Sequence, residues 1–283
     1  MDQRTQQDID RIVDKILSEM MVREPPLNLD DVFAHLTTDH GYYDLADPGL
    51  LREVWHRIKI GPSQLVHLLE KVDLKGLWLP DRNRVLVDVA IPNLKKRWTN
   101  AHEIGHKIIP THAAFFLGDT PETLDPEYHC MLEKEANYAA SSLLFLGAAF
   151  TEDARALPVC LDSVRTLSRR YGNTCASTLR RYVHRGPDLP LVAMISKSSW
   201  DSSDQSAEQR CTHLMLSPPF KKQFGSVNGG AVVAFVDGYV VRRRGGPVGG
   251  GEVRMPDQNG TLHAFRSETF YNQYDLLTLM VIT

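Results

Sequence analysis

The residues best suited to chemistry are His102-Glu103-Ile104-Gly105-His106. On a helix, positions four apart share one face, one turn up, so both imidazoles can meet one ion. Imidazole nitrogens are good ligands for zinc, and a glutamate beside them can hold a water and take its proton. Leu94, Trp98, Ala101 and Gly105 keep the flanking stripe apolar or small, so this face reads as buried. Two histidines and a carboxylate on a buried face need a partner, because unpaired buried polar groups are costly. A metal ion supplies one.

A catalytic zinc takes three protein ligands and leaves a position open. Two residues compete for the third place. His112 lies ten residues after His102, the count of an HExxHxxGxxH arrangement, but Ile109 stands where that bend needs glycine. Ile109 precedes Pro110 and is pushed towards an extended conformation. Glu133 sits in Glu133-Lys134-Glu135-Ala136-Asn137, with Asn137 one turn on along the same face. That pairing favours Glu133 as the ligand, with Asn137 orienting a bound imidazole. Glu135 lies about 200° round the helix from Glu133 and is expected to be solvated. Ala139, Ala140 and Ser141 are small enough to let this helix approach the first closely. Tyr128, His129 and His112 are candidates for a second electrophile near the ion. Leu86, Val87 and Asp88 lie in an extended run just before the first motif, which is expected to accept substrate as an added strand.

These groups need elements to carry them. Ile9, Ile12, Val13, Ile16, Leu17, Met20 and Met21 trace one face of an opening helix. Pro25-Pro26 ends it, and Asn28 caps a short helix with Leu29, Val32, Phe33 and Leu36 inward. Asp47-Pro48 opens another, with Leu51, Val54, Trp55 and Ile58 on one side. Leu74–Leu79 and Arg84–Val89 flank Pro80-Asp81-Arg82-Asn83 as a hairpin. One helix is expected from Pro92 to Ile109, stopped by Pro110, and another from Asp125-Pro126 to about Phe150. Residues 160–185 read as two helices around Gly172-Asn173, and carry six arginines against one acid, Asp162. That pair suits a helix-turn-helix reading DNA, a solvated face, or a dock for an acidic partner.

Beyond Gly186-Pro187 the pattern changes to short β-like runs: Leu189–Ile195, Ala231–Val236, Tyr239–Arg243 and Leu276–Ile282. The Gly245–Gly251 stretch reads as a loop. A domain boundary is placed there: residues 1–186 carry the metal site and the helix pair, and 187–283 form a β-rich C-terminal domain that regulates or recruits. Net charge of −3 argues against a protein that coats nucleic acid generally. Four cysteines without a CxxC pair, a polar acidic N-terminus and no apolar run of ~20 residues suggest a cytoplasmic protein with reduced thiols.

Taken together, Arg97-Trp98-Thr99-Asn100-Ala101-His102-Glu103-Ile104-Gly105-His106 and Glu133-Lys134-Glu135-Ala136-Asn137-Tyr138-Ala139-Ala140-Ser141-Ser142-Leu143-Leu144 resemble the ImmA/IrrE family of metallo-endopeptidases. The likeness spans roughly residues 5–185; the family usually continues Leu-Met-Pro where this chain has Leu144-Phe145-Leu146. It implies an α+β fold: a mostly helical, zincin-like protease core with a small sheet. It also implies zinc, or manganese, in the His102, His106 and Glu133 set, with Glu103 as catalytic base. The implied partner is a protein substrate, often a helix-turn-helix repressor whose cleavage switches on genes. The alternative is a DNA- or protein-binding regulator whose zinc site is structural or inactive.

Overall fold

A computed structural model of the protein describes residues 1–43, 76–80, 83–117 and 126–283. The helix expected after Asp47-Pro48, the start of the first hairpin run and the centre of its turn lie outside the described residues. The chain is mixed helix and sheet and divides into two compact units, Met1–Gly147 and Ala148–Thr283. No helix among the described residues is long and apolar enough to cross a membrane.

In the first unit, Asp2 caps α1 (Gln3–Glu19) by accepting from the Thr5 amide, and Ile9, Val13, Ile16 and Leu17 are its buried stripe. Met21 falls off that stripe and is exposed. Asn28 caps α2 (Leu29–His35), which buries Leu29, Val32 and Phe33. Three strands follow: β1 (Asp39–Tyr43), β2 (Gly76–Leu79) and β3 (Arg84–Asp88). β3 is central, parallel to β1 and antiparallel to β2.

That order corrects the expected substrate strand. Leu86, Val87 and Asp88 are buried in a strand paired on both sides, so no main-chain edge is left for a peptide to join. Asp88 forms the turn out of the strand instead, its carboxylate accepting the Ala90 amide at 2.8 Å. The missed element is β1, which is only five residues long and contains Gly41, so it carried little strand signal.

The metal-motif helix is α3 (Asn93–Ile108). Ile109 is extended, as the following proline requires, but Pro110 does not end the helical path. It opens α4 (Pro110–Leu117), as proline does at a first helical turn. α5 (Pro126–Leu144) carries the second motif and ends before the expected Phe150. Leu146 and Gly147 both have positive φ there and turn the chain sharply. Asp10 of α1 ties down α5 by accepting from Tyr138 Oη at 2.8 Å and Ser142 Oγ at 3.1 Å.

α3 and α5 pack backbone to backbone. A β-carbon on Gly105 would stand 2.7 Å from the Ala136 carbonyl oxygen and 3.1 Å from its α-carbon. Ala101, Ile104, Ala136, Ala139 and Ala140 complete the buried seam.

The second unit comprises α6 (Ala149–Arg155), α7 (Leu161–Tyr171), α8 (Cys175–Arg185), β4 (Leu191–Ser196), α9 (Ala207–Arg210), β5 (Cys211–Leu216), α10 (Pro218–Phe224), α11 (Gly229–Asp237), β6 (Gly246–Pro256), β7 (Leu262–Tyr271) and β8 (Leu276–Ile282). Its antiparallel sheet has the order β5-β4-β8-β7-β6. Val192, Met194, Phe220, Phe224, Val233, Val236 and Phe265 form the core between sheet and α10–α11. The helix pair α7–α8 packs on β4, β5 and β7, and Glu268 of β7 accepts the Leu161 amide at 3.0 Å. The Gly186-Pro187 boundary therefore falls inside this unit, between α8 and β4.

Two readings of the tail change. Ala231–Val236 is helical, because Asn228 caps α11 by accepting the Ala231 amide at 2.9 Å. Six apolar residues in a row do not distinguish a buried helix from a strand. Tyr239–Arg243 is not a strand. The glycine run is one, and the reason is Tyr239. Its ring lies on Gly251 and its carbonyl comes within 2.7 Å of where a Gly249 β-carbon would be, while its hydroxyl reaches Ser267 and Thr269 at 2.6 and 2.7 Å. Glycine lets the strand slide under the ring.

The Gly105 contact makes a sharp test. Helix propensity alone has Gly105→Ala stabilise the protein by about 1 kcal/mol. Overpacking against an unyielding backbone costs about 1–3 kcal/mol. We expect the second effect to win, giving a lower urea midpoint for Gly105→Ala; a raised midpoint would mean that α3 and α5 can separate cheaply.

Candidate metal centre

Helical spacing stacks His102 and His106 on one face of α3, and the close α3–α5 contact brings Glu133 across from them. The two Nε2 atoms are 3.1 Å apart. Glu133 places one carboxylate oxygen 3.2 Å from His102 Nε2 and the other 3.3 Å from His106 Nε2. All three ligand atoms lie within 4.8 Å of one another, the cluster of metal-ligating groups found among the described residues. Two nitrogens each 2.0–2.1 Å from a tetrahedral zinc are about 3.3 Å apart, so the imidazoles already hold nearly that separation. Two nitrogens and one oxygen are also the donor set zinc prefers to a hard cation such as magnesium. The residues fit the ion. Burial is graded from His106, 3% exposed, to the Glu133 side chain, 39% exposed, which leaves the Glu133 side of the cluster open to solvent.

The charges are strongly coupled. Burial pulls His102 down, but the Glu133 hydrogen bond and the charges of Glu103 and Glu133 outweigh it, with nearby Asn137 adding to the effect, so its pKa rises. His106 is deeper, and burial holds its pKa down, with His102 and His129 adding to the effect. Burial would raise Glu133, yet the hydrogen bonds from both histidines hold it far below the usual carboxylate range. Glu103 takes no part in those bonds. Burial lifts it to about 7, only partly opposed by the charge of His102 and the Trp78 main-chain N–H that donates to it. A carboxyl with a pKa near neutrality can both take and give a proton at working pH.

β2 reaches Glu103 because of Gly76. A β-carbon there would lie 2.6 Å from Glu103 Oε1 and 2.7 Å from Thr99 Cγ2. The missing side chain lets the strand lie on α3 and aim the Trp78 amide at the carboxylate. Nothing in the motif announces this contact; Gly76 was the available signal.

Contacts between helices decide where His112 and Glu135 lie. His112 is fully buried, with its Nδ1 2.9 Å from His106 Nδ1, on the side of that ring away from Glu133. It is therefore behind a candidate ligand, and neither a third ligand nor a substrate-facing electrophile. Glu135 is 6% exposed and its Oε2 is 3.1 Å from His112 Nε2, so it is not solvated. Asn137 falls near His102, but His102 Nδ1, the nitrogen it was expected to orient, is buried without a hydrogen-bond partner among the described residues. Of the other electrophile candidates, His129 is near enough for its charge to bear on His106, and Tyr128 is half-buried on the same turn of α5.

No protein-family model matches the chain, and no curated protein matches it. Among solved structures, a Mycobacterium tuberculosis transcriptional regulator is similar in fold, with a TM-score of 0.51 at 14% identity, over 97% of this chain and 88% of that one.

Two measurements follow from the geometry. Glu133→Ala removes the carboxylate that, among the described residues, bridges both imidazoles, so it should lose most of its zinc by stoichiometry; full occupancy would remove Glu133 from the site. The second is a pH dependence. Glu103 ionises near 7 when folded and near 4.5 when unfolded, so the folded state holds the proton more tightly. The metal-free protein is then favoured at low pH and loses that contribution, about 3 kcal/mol, as pH rises from ~4.5 through ~7. Glu103→Gln should remove this decline, and urea titrations of metal-free protein at pH 5 and 8 will compare the two; equal slopes would place Glu103 in a better solvated setting.

Proposed function

We propose that the first unit is a zinc-dependent endopeptidase acting on a protein substrate, with a regulatory outcome. The observation that carries this is the pairing of a three-ligand cluster with a separate buried carboxyl, Glu103, held near neutral pKa and oriented by a main-chain N–H. A structural metal site needs four ligands and no poised acid–base group. His102, His106 and Glu133 would hold the ion. Zinc, when bound, supplies Lewis acidity that polarises a peptide carbonyl and activates water at neutral pH.

The chain's own residues do the rest. Glu103 accepts the proton of the attacking water and returns it to the departing amine. The Trp78 N–H keeps the carboxylate from turning away between those steps. Asn137 lies near the His102 ring. A substrate held in extended form would align with β2, which pairs only with β3 among the described residues and touches Glu103. Its main-chain groups give affinity without demanding particular side chains, which suits a protein substrate.

The family resemblance makes a helix-turn-helix repressor the substrate of choice. A second reading is compatible with the fold comparison: the similar structure is of a transcriptional regulator, and this protein would then bind DNA or a protein without cleaving anything. In that reading the arginines of α7–α8 are the contact. Several are already engaged: Arg165 pairs with Asp162 and stacks on Phe270, Arg170 pairs with Asp153, and Arg181 is buried. That leaves the first reading ahead.

Cleavage of an unfolded protein by the zinc-loaded chain, compared with Glu103→Gln, separates the two. The peptidase reading expects Glu103→Gln to keep its zinc and lose about 100-fold or more in rate, the usual yield of general acid–base catalysis. Absence of any metal-dependent cleavage by the wild type, with binding to DNA unaffected by Glu103→Gln, would establish the regulator reading instead.

A further inference from the structure

We propose that His112 and Glu135 are positioning residues that fix the proton and the ring orientation of His106, through an unbroken chain of buried hydrogen bonds from Glu135 to the metal-facing nitrogen. The proposal rests on the zinc reading of the cluster.

The proton placement follows from the distances. To bind an ion, His106 needs its Nε2 lone pair free, so its proton sits on Nδ1. Nδ1 is 2.9 Å from His112 Nδ1 and donates to it. His112 Nδ1 is then the acceptor, so His112 carries its own proton on Nε2. That nitrogen is 3.1 Å from Glu135 Oε2 and donates to it. With His106 as a ligand, this is the one arrangement of protons in which both neutral rings are satisfied. The other tautomer of either ring sets two donors or two lone pairs against each other in a site without water access, where an unmet polar group is costly.

The fold builds the chain of bonds from three elements. Ile109, held extended before Pro110, turns the main chain between α3 and α4, and the His112 amide bonds the Ile109 carbonyl at 3.0 Å. That first turn of α4 carries His112 back onto His106. Glu135 comes from α5, two residues after Glu133, so one helix supplies a carboxylate to the metal face of His106 and another to the far end of the relay. A buried carboxylate needs a compensating donor, and the His112 N–H supplies one. A carboxylate behind a ligating imidazole, here through a second ring, raises the ligand's basicity and holds its plane.

Removing such support typically weakens metal binding 10–100-fold. The test measures zinc affinity by chelator competition, and the visible absorption bands of cobalt-loaded protein, in the full chain and three variants. His112→Phe keeps a ring of similar size but offers no acceptor. His112→Asn restores an acceptor facing His106 without reaching Glu135. Glu135→Gln is nearly isosteric and removes only the charge. The expected order of zinc affinity is wild type, then Glu135→Gln and His112→Asn, then His112→Phe at 10–100-fold below wild type, with cobalt bands displaced in each variant. Should His112→Phe fail to fold, judged by its metal-free circular dichroism, Glu135→Gln decides alone. Zinc affinity and cobalt bands unchanged in the folded variants would overturn the relay while leaving the zinc reading intact. A wild type that binds neither ion would overturn both.

Discussion

The approach of α3 to α5 at Gly105 and Ala136 is the constraint on which the site depends. A glycine on one helix meets main chain on the other, with no side chain between them to absorb a change in spacing. That contact sets how far Glu133 stands from the imidazoles, and a displacement of ~1 Å would take its two oxygens out of reach of both Nε2 atoms. The small residues along the seam, Ala101, Ala136, Ala139 and Ala140, have little to bury individually. Their value is in fixing separation and register, and the Asp10 bonds to Tyr138 and Ser142 pin α5 from its other side.

Given that spacing, electrostatics decides what each group does. Two facing helices supply a carboxylate held far below its ordinary pKa, Glu133 of α5, and another lifted to about 7, Glu103 of α3. The difference lies in partners: Glu133 has two imidazoles, whereas Glu103 has one amide and a buried setting. Separation of this kind is what the proposed division between a ligand and a proton carrier would need. The cost is borne by the fold, since a buried ionised Glu103 destabilises it.

The local site was legible in the sequence because it rests on helical arithmetic. Spacing of four put His102 and His106 together, and Asn137 was found one turn beyond Glu133. What failed depended on contacts between elements. His112 had the right count from His102 and was set aside for the Ile109-Pro110 turn, but nothing in the sequence said that its ring would come to lie against His106. Glu135 looked solvated because a charge run usually is, and its buried partner comes from a different helix. β3 read well as a strand, yet its neighbour β1 is too short and glycine-containing to announce itself, so an interior strand looked like an edge. In the tail, Asn228 was an unread cap, and the glycine run owed its strand conformation to a tyrosine ring outside the run, at Tyr239.

The division between units carries the same lesson to larger scale. Composition changes at Gly186-Pro187, where helix gives way to strand, but compactness follows burial. Leu179, Tyr182 and Val183 of α8 are buried, and α8 packs on β4 and β5, so the helix pair would lose its cover if separated from the sheet. Glu268 supplies the N-terminal hydrogen bond that Cys160 cannot give α7. An arginine-rich helix pair that relies on a sheet for its core and its cap is a built-in layer of the second unit. Its exposed arginines, Arg169 and Arg180 among them, are then held in place by that unit as a whole and not by an independent helix pair.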